Sequence, residues 1–187
     1  MSGGILGPNR WRVVATVRDP RLAPDASMVR PDRRSPRVRA LLSVANRDGI
    51  VDLARDLLGF GIEVYATDGT RDALAAEGVE VNSVTALTQG ESDVGGQVKT
   101  FHHAVYAGIL ARRDVPAQIE ELRAQGIGLI DLVVVNVKPF APAIGVKLVG
   151  IDEAIEMIDV AGAALLGAAA RNSSSWDGTS RRARMPA

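Results

Sequence analysis

Lysine is scarce in this chain of 187 residues, with three Lys against 19 Arg, so the placement of Lys99 and Lys138 carries weight. Lys99 stands in Gln97-Val98-Lys99-Thr100, and Lys138 directly follows the apolar, β-branched run Leu129–Val137. A lysine at a strand end is ordinarily a solvated charge. Two at one edge of a sheet suit the binding of an anionic substrate. Arg47, in Ala45-Asn46-Arg47-Asp48, precedes a helical pattern, where unpaired backbone N–H groups and the helix dipole favour an anion. Thr67-Asp68-Gly69-Thr70 resembles a small phosphate-cradling turn, although Asp68 adds a charge that works against phosphate. A glycine-containing turn between strand and helix is more often simply a turn. Asp159, in Met157-Ile158-Asp159-Val160-Ala161-Gly162, is open to two readings: a reactive carboxylate in apolar surroundings, or an N-cap acting through Gly162.

Composition narrows the chemistry. The absence of cysteine excludes disulfides and thiolate nucleophiles. His102 and His103 are the only histidines, which excludes a metal site built on several imidazoles and argues against a Ser-His-Asp arrangement. No metal or other cofactor is expected. No window approaches the roughly 18 apolar residues of a membrane span, and no apolar run of signal-peptide length opens the chain. A cytoplasmic protein without a membrane partner is expected. Formal net charge is zero but unevenly spread: residues 1–40 carry +6, residues 171–187 carry +3, and the middle carries −9. Basic ends can meet nucleic acid, but charged, Pro-rich ends usually behave as solvated tails.

The elements that must position these residues follow from periodicity. Residues 1–36 are Pro- and Arg-rich and read as an extension, with only Trp11–Val17 alternating like a strand. From Arg37 a compact pattern begins. Val38–Val44 reads as a strand; Ile50, Leu53, Ala54, Leu57 and Leu58 recur at helical spacing, with Gly59 and Gly61 as the stop. Ile62–Thr67 is a second strand, about Arg71 to Glu77 a helix, and Val79–Val84 a third strand. Helices are expected at Ala104–Arg112, Pro116–Gln125, Ile151–Ile158 and Ala163–Arg171. Leu129–Val137 suits a central strand buried on both faces. The sum is a mostly parallel α/β sheet flanked by helices, over residues 37–172, followed by a Ser- and Arg-rich tail at 173–187. In such sheets ligands bind beyond the carboxyl ends of the strands, where Ala45–Asp48, Thr67–Thr70, Gln97–His102 and Asn136–Lys138 are expected.

Over about residues 38–172 the chain resembles the N-terminal, IMP cyclohydrolase domain of the bifunctional purine-biosynthesis enzyme. The residues carrying the resemblance are Ala40-Leu-Leu-Ser-Val44, Gly95-Gly-Gln-Val-Lys-Thr-Phe-His102, Ala107-Gly-Ile-Leu-Ala-Arg112, Asp131-Leu-Val-Val-Val-Asn136, Pro139-Phe140, Ile158-Asp159 and Leu165–Asn172. The resemblance implies a methylglyoxal-synthase-like fold, a homodimer, and a cofactor-free enzyme of the cyclic-amidine hydrolase class acting in the ring-closing direction. By position it implies nucleotide contacts from Ala45, Asn46, Arg47, Thr67, Asp68, Gly69, Thr70, Gln97, Val98, Thr100, Val135 and Val160. It makes Lys99 the group that stabilises developing negative charge, Asp159 the one that orients or deprotonates the carboxamide nitrogen, and Asn136 the one that fixes the carboxamide.

The chain departs from the family pattern around the ligand. Family members carry Ser-Asp-Lys-Thr in place of Ala45-Asn46-Arg47-Asp48, Gly-Gly-Thr in place of Asp68-Gly69-Thr70, and Arg in place of Gln97. Tyr is replaced by Lys138, Pro by His103, and the family's proton-shuttling Lys by Arg171. Arginine supports charge but hardly releases a proton, so Lys138 is a candidate for that role. The expected protein is a divergent stand-alone paralogue with a retuned pocket. It would close a six-membered ring on a purine precursor, or on an analogue such as a pyrazolopyrimidine C-nucleotide of a nucleoside-antibiotic pathway. The alternative is a purine-nucleotide-binding module without catalysis. A lyase of the methylglyoxal-synthase type fits the Val-Lys-Thr-x-His segment less well.

Overall fold

The computed structural model describes residues 12–15 as a strand, and residues 38–88, 98–137, 151–156 and 158–172. Gln97 and Lys138 lie outside the described residues. The elements run β1 (Arg12–Ala15), β2 (Arg39–Val44), α1 (Ile50–Gly59), β3 (Glu63–Ala66), α2 (Asp68–Ala76), β4 (Asn82–Ser83), α3 (His103–Leu110), α4 (Pro116–Ala124), β5 (Leu132–Asn136), α5 (Ile151–Glu156) and α6 (Val160–Asn172). The sheet order is β1-β5-β2-β3-β4. Strands β5, β2, β3 and β4 are parallel, with Leu41 opposite both Val133 and Tyr65. Of the segment before Arg37, Arg12–Ala15 joins the sheet edge antiparallel to β5.

Side-chain alternation divides the core between the two faces of the sheet. Ala40, Leu42, Val44, Val64 and Val134 face Ile50, Ala54 and Leu57 of α1 and Leu74 of α2. Leu41, Tyr65, Val133 and Val135 face Val105 and Ile109 of α3 and Leu165, Ala168 and Ala169 of α6. Burial on both faces explains the near-continuous apolar run of β5, whose Val133, Val134 and Val135 are buried. This is the α/β architecture, with a mostly parallel sheet between helices, that the periodicity predicts. No helix among the described residues is long and apolar enough to cross a membrane.

Two of the differences from the sequence expectation have a local hydrogen-bonding cause. Helix α2 starts at Asp68, three residues before Arg71. Thr67 is extended (φ −67°, ψ 153°) and its carbonyl accepts from the N–H groups of Thr70 (2.9 Å) and Arg71 (2.8 Å), so the apparent turn is the helix's first turn. The strand expected over Val79–Val84 pairs only at Asn82 and Ser83. The Asn82 side chain donates to the Val64 carbonyl (3.2 Å), and Ser83 Oγ accepts from Thr85 N–H (3.2 Å), turning the chain into a 3₁₀ turn at Val84–Leu87.

The Ala107-Gly108-Ile109 segment has a steric reason. A Cβ on Gly108 would lie 2.7 Å from the Gly128 carbonyl oxygen and 3.3 Å from Ile130, while the Gly108 carbonyl accepts from Ile130 N–H at 3.0 Å. Helix α3 is thus pressed onto the backbone leading into β5. Gly108→Ala is expected to destabilise the domain by about 2 kcal/mol through this overpacking, read as a lower urea midpoint at unchanged slope.

Candidate active site

The parallel strands deliver three polar segments to one edge. Val44 ends β2 opposite Asn136, which ends β5, and Ala66 ends β3 immediately before Thr67. Asn136 braces this edge: its Oδ1 accepts from the N–H groups of Ala45 (2.5 Å) and Asn46 (2.8 Å), and its Nδ2 donates to the Asn46 carbonyl (2.8 Å). Thr70 is buried and braces it from α2, its Oγ1 accepting from Val44 N–H (3.0 Å) and lying 3.3 Å from Thr67 Oγ1. The loop that carries Arg47 is therefore fixed from both sides. Arg47 is exposed, and its guanidinium lies beside Gly69, 3.7 Å from where a Cβ on that glycine would stand.

Lys99 comes from a 3₁₀ turn, Lys99–Phe101, immediately before α3. His102 holds that junction: its Nδ1 accepts from Ala104 N–H at 3.1 Å and so caps α3. The Phe101 ring stacks on Tyr106 one turn into the helix, with centroids 6.2 Å apart. Burial pushes the Tyr106 phenol above its ordinary pKa. The ammonium of Lys99 reaches α2, where it pairs directly with Asp68 Oδ2. Lys99 is 15% exposed and Asp68 48%. Beside them Thr100 is buried, and its hydroxyl finds no hydrogen-bond partner among the described residues. Arg47, Gly69, Asp68 and Lys99 thus form one continuous patch at the N-terminus of α2.

Helix α6 packs against the Lys99 turn and against α3. It opens with Asp159, whose Oδ1 accepts from Gly162 N–H at 2.8 Å. The cap is the arrangement the structure adopts, and Gly162 makes room for it: a Cβ there would come within 2.6 Å of Asp159 Oδ2. Val160 is exposed, Val135 is buried in the sheet, and Val98 is exposed ahead of Lys99. Arg171 is exposed in the last turn of α6. Its neighbour Asn172 is buried and donates through Nδ2 to the carbonyls of Ile109 (2.7 Å) and Ala111 (3.2 Å), tying the end of α6 to the end of α3. Sequence reasoning matched Asn172 without giving it a task; a terminal amide facing the unpaired carbonyls at a helix C-terminus is the signal. The Lys99–Asp68 pair carried no sequence signal, being formed across 31 residues.

A separate groove of about 580 Å³ lies along β3 and the chain leading into β4, lined by Leu58, Glu63, Tyr65, Glu80 and Asn82. One of its two carboxylates, Glu63, is paired with the Arg39 guanidinium at 3.0 Å.

The chain belongs to the MGS-like domain family, whose model matches residues 49–164. Within that class it is similar to the bifunctional purine biosynthesis proteins PurH. It is 47% identical to that of Staphylococcus carnosus over 134 residues (72% of this chain, 27% of that protein) and 45% identical to that of Cyanothece sp. over 134 residues (71% and 26%). The chain thus spans about a quarter of the length of these relatives. It is also similar to a solved structure, that of ForH, with TM-score 0.60 and 34% identity, covering 73% of this chain and 69% of that one.

Proposed function

We propose that this domain catalyses dehydrative ring closure of a formamido-carboxamide ribonucleotide, as an IMP cyclohydrolase-type enzyme. The observation that carries the reading is the PurH similarity over 134 residues, together with a lysine brought to the helix N-terminus at the sheet's carboxyl edge. In the reaction the carboxamide nitrogen attacks the formyl carbon. A C–N bond forms, negative charge develops on the formyl oxygen, and that oxygen takes up two protons, one given up by the attacking carboxamide nitrogen and one by the formamido nitrogen, and leaves as water as the C=N bond closes. The step is intramolecular and redox-neutral, so the protein's work is to hold the two groups together, stabilise the oxyanion and move protons. Arg47 and the N–H groups opening α2 suit the phosphate end, and the Lys99 ammonium suits the oxyanion.

Asp159 already caps α6 through Oδ1, which fixes its carboxylate in place. We assign it the orienting role, with Val160 and the turn around it bordering the ring. Asn136 spends its amide on Ala45 and Asn46, so we assign it the task of shaping the phosphate loop, through which it affects the carboxamide only indirectly. The proton role vacated at Arg171 is assigned to Lys138. The finer reading, a pyrazole C-nucleotide in place of the imidazole nucleotide, is motivated by the cluster of departures at Arg47, Asp68, Gln97, Lys138 and Arg171. The protein would act as a cytoplasmic homodimer.

The test incubates folded protein with the formamido-imidazole nucleotide and, separately, with its pyrazole C-nucleotide analogue, following loss of one water by mass spectrometry. Turnover of either supports ring closure, and the ratio of the two rates reports the substrate. No product from either sinks the proposal. The capped Asp159 and the committed Asn136 favour a second reading, a nucleotide-binding module. Lys138→Ala separates the two in any protein that binds nucleotide: the enzyme reading expects a large loss of rate with binding kept, and the module has no rate to lose.

A further inference from the structure

The patch at the N-terminus of α2 contains an acid where an anion-binding site gains from having none. Three sources of positive potential meet there: the Arg47 guanidinium beside Gly69, the N–H groups of Asp68 and Gly69 that open the nine-residue helix without a side-chain cap, and the Lys99 ammonium. Against them stands the carboxylate of Asp68, in the first helical turn and in direct contact with Lys99. An acid in that turn is favourable for the isolated helix. It also satisfies a lysine that is only 15% exposed. The same charge repels an arriving phosphate dianion at the same helix end.

We infer that Asp68 is a specificity-determining residue: by compensating Lys99 at the mouth of α2, it penalises ligands in proportion to the negative charge they bring to that end. The inference rests on the nucleotide-site reading above. A fixed carboxylate and a dianion within one helical turn of each other, partly exposed to water, repel enough to change affinity by about tenfold at low ionic strength. A neutral nucleoside escapes the penalty. Asp68 therefore narrows the preference for nucleotide over nucleoside. In exchange it keeps the Lys99 ammonium pinned to α2 while the site is empty.

Asp68→Asn isolates the charge, because its side-chain carbonyl still accepts a hydrogen bond from Lys99 while the negative charge is gone. Dissociation constants for inosine 5′-phosphate and inosine are measured by calorimetry on the wild type, Asp68→Asn and Asp68→Glu. The expected result in low salt is an affinity for inosine 5′-phosphate about tenfold higher in Asp68→Asn. Inosine binding stays within about twofold, Asp68→Glu follows the wild type, and the gain shrinks as salt is added. A purely structural role would move both ligands together. A nucleotide-to-nucleoside ratio unchanged in Asp68→Asn, or a parallel weakening of both ligands, overturns the inference and leaves the nucleotide site standing. Failure of both ligands to bind any of the three proteins overturns the inference and the nucleotide reading alike.

Discussion

Replacing Lys99 with methionine is expected to lower kcat/KM for ring closure by about 10²- to 10³-fold, the magnitude attached to losing one preorganised donor to an oxyanion. Methionine keeps most of the unbranched stem and removes only the ammonium. The partner, Asp68, is 48% exposed, so water takes over its solvation and the unfolding midpoint should move by less than about 1 kcal/mol in free energy. The loss therefore reads as chemistry and not as unfolding. Single-turnover rates measured beside urea unfolding curves make that separation. Lys99→Arg retains the charge but spreads it over a planar fork and should recover part of the rate. A drop of less than tenfold in Lys99→Met would move oxyanion stabilisation to another group, with Arg47 next in line.

The fold was legible in the sequence where burial repeats. Leu129–Val137 reads as a central strand because Val133, Val134 and Val135 alternate between two cores, each supplied by helices. The helical spacing of Ile50, Ala54 and Leu57 reads for the same reason. The antiparallel pairing of Arg12–Ala15 with β5 was not legible. The alternation over Trp11–Val17 suggests a strand, but an edge position is set by a partner more than a hundred residues away. The start of α2 was hidden by Gly69, which depresses helix propensity in a first turn whose hydrogen bonds run to the Thr67 carbonyl.

Residue types at the candidate site were visible, but their mutual commitments were not. Asp159 and Asn136 look equally available in one dimension. In three, one holds the N-terminus of α6 and the other holds the Ala45-Asn46 backbone. Local spacing contains the first, since Asp159 and Gly162 are three apart, and the cap was a reading open from the outset. The second depends on β5 and β2 lying side by side with Val44 opposite Asn136, which no local pattern encodes. A site residue's chemistry is thus readable from its type, while its freedom to act depends on long-range register.

The same register argument gives the largest expected stability effect, at the opposite ends of these strands. Asp131 precedes β5 beside the start of β2. Its Oδ2 accepts from the main-chain N–H of Arg39 (2.9 Å) and its Oδ1 from the Arg113 guanidinium (3.0 Å), while its own N–H donates to the Arg39 carbonyl (2.8 Å). The ion-paired side chains of Arg113 and Asp131 are 18% and 12% exposed. Burial lowers the Arg113 pKa and the hydrogen bond it donates to Asp131 opposes that, so the carboxylate is what keeps a desolvated cation tolerable. Asp131→Ala strands the Arg113 charge and leaves the Arg39 N–H unpaired, and is expected to cost about 3 kcal/mol. Asp131→Asn keeps one acceptor for the Arg39 N–H but loses the charge and presents an NH2 donor to Arg113, so it should cost less than the alanine variant and remain foldable if that variant does not. Urea unfolding at unchanged slope checks both. Asp131 and Asn136 stand at opposite ends of a strand roughly 16 Å long, so the protein that remains folded should keep its rate of ring closure. A cost below about 1 kcal/mol for Asp131→Ala would mean that Arg113 finds another partner, and an equal loss of rate and stability would mean that the two ends of the sheet are coupled.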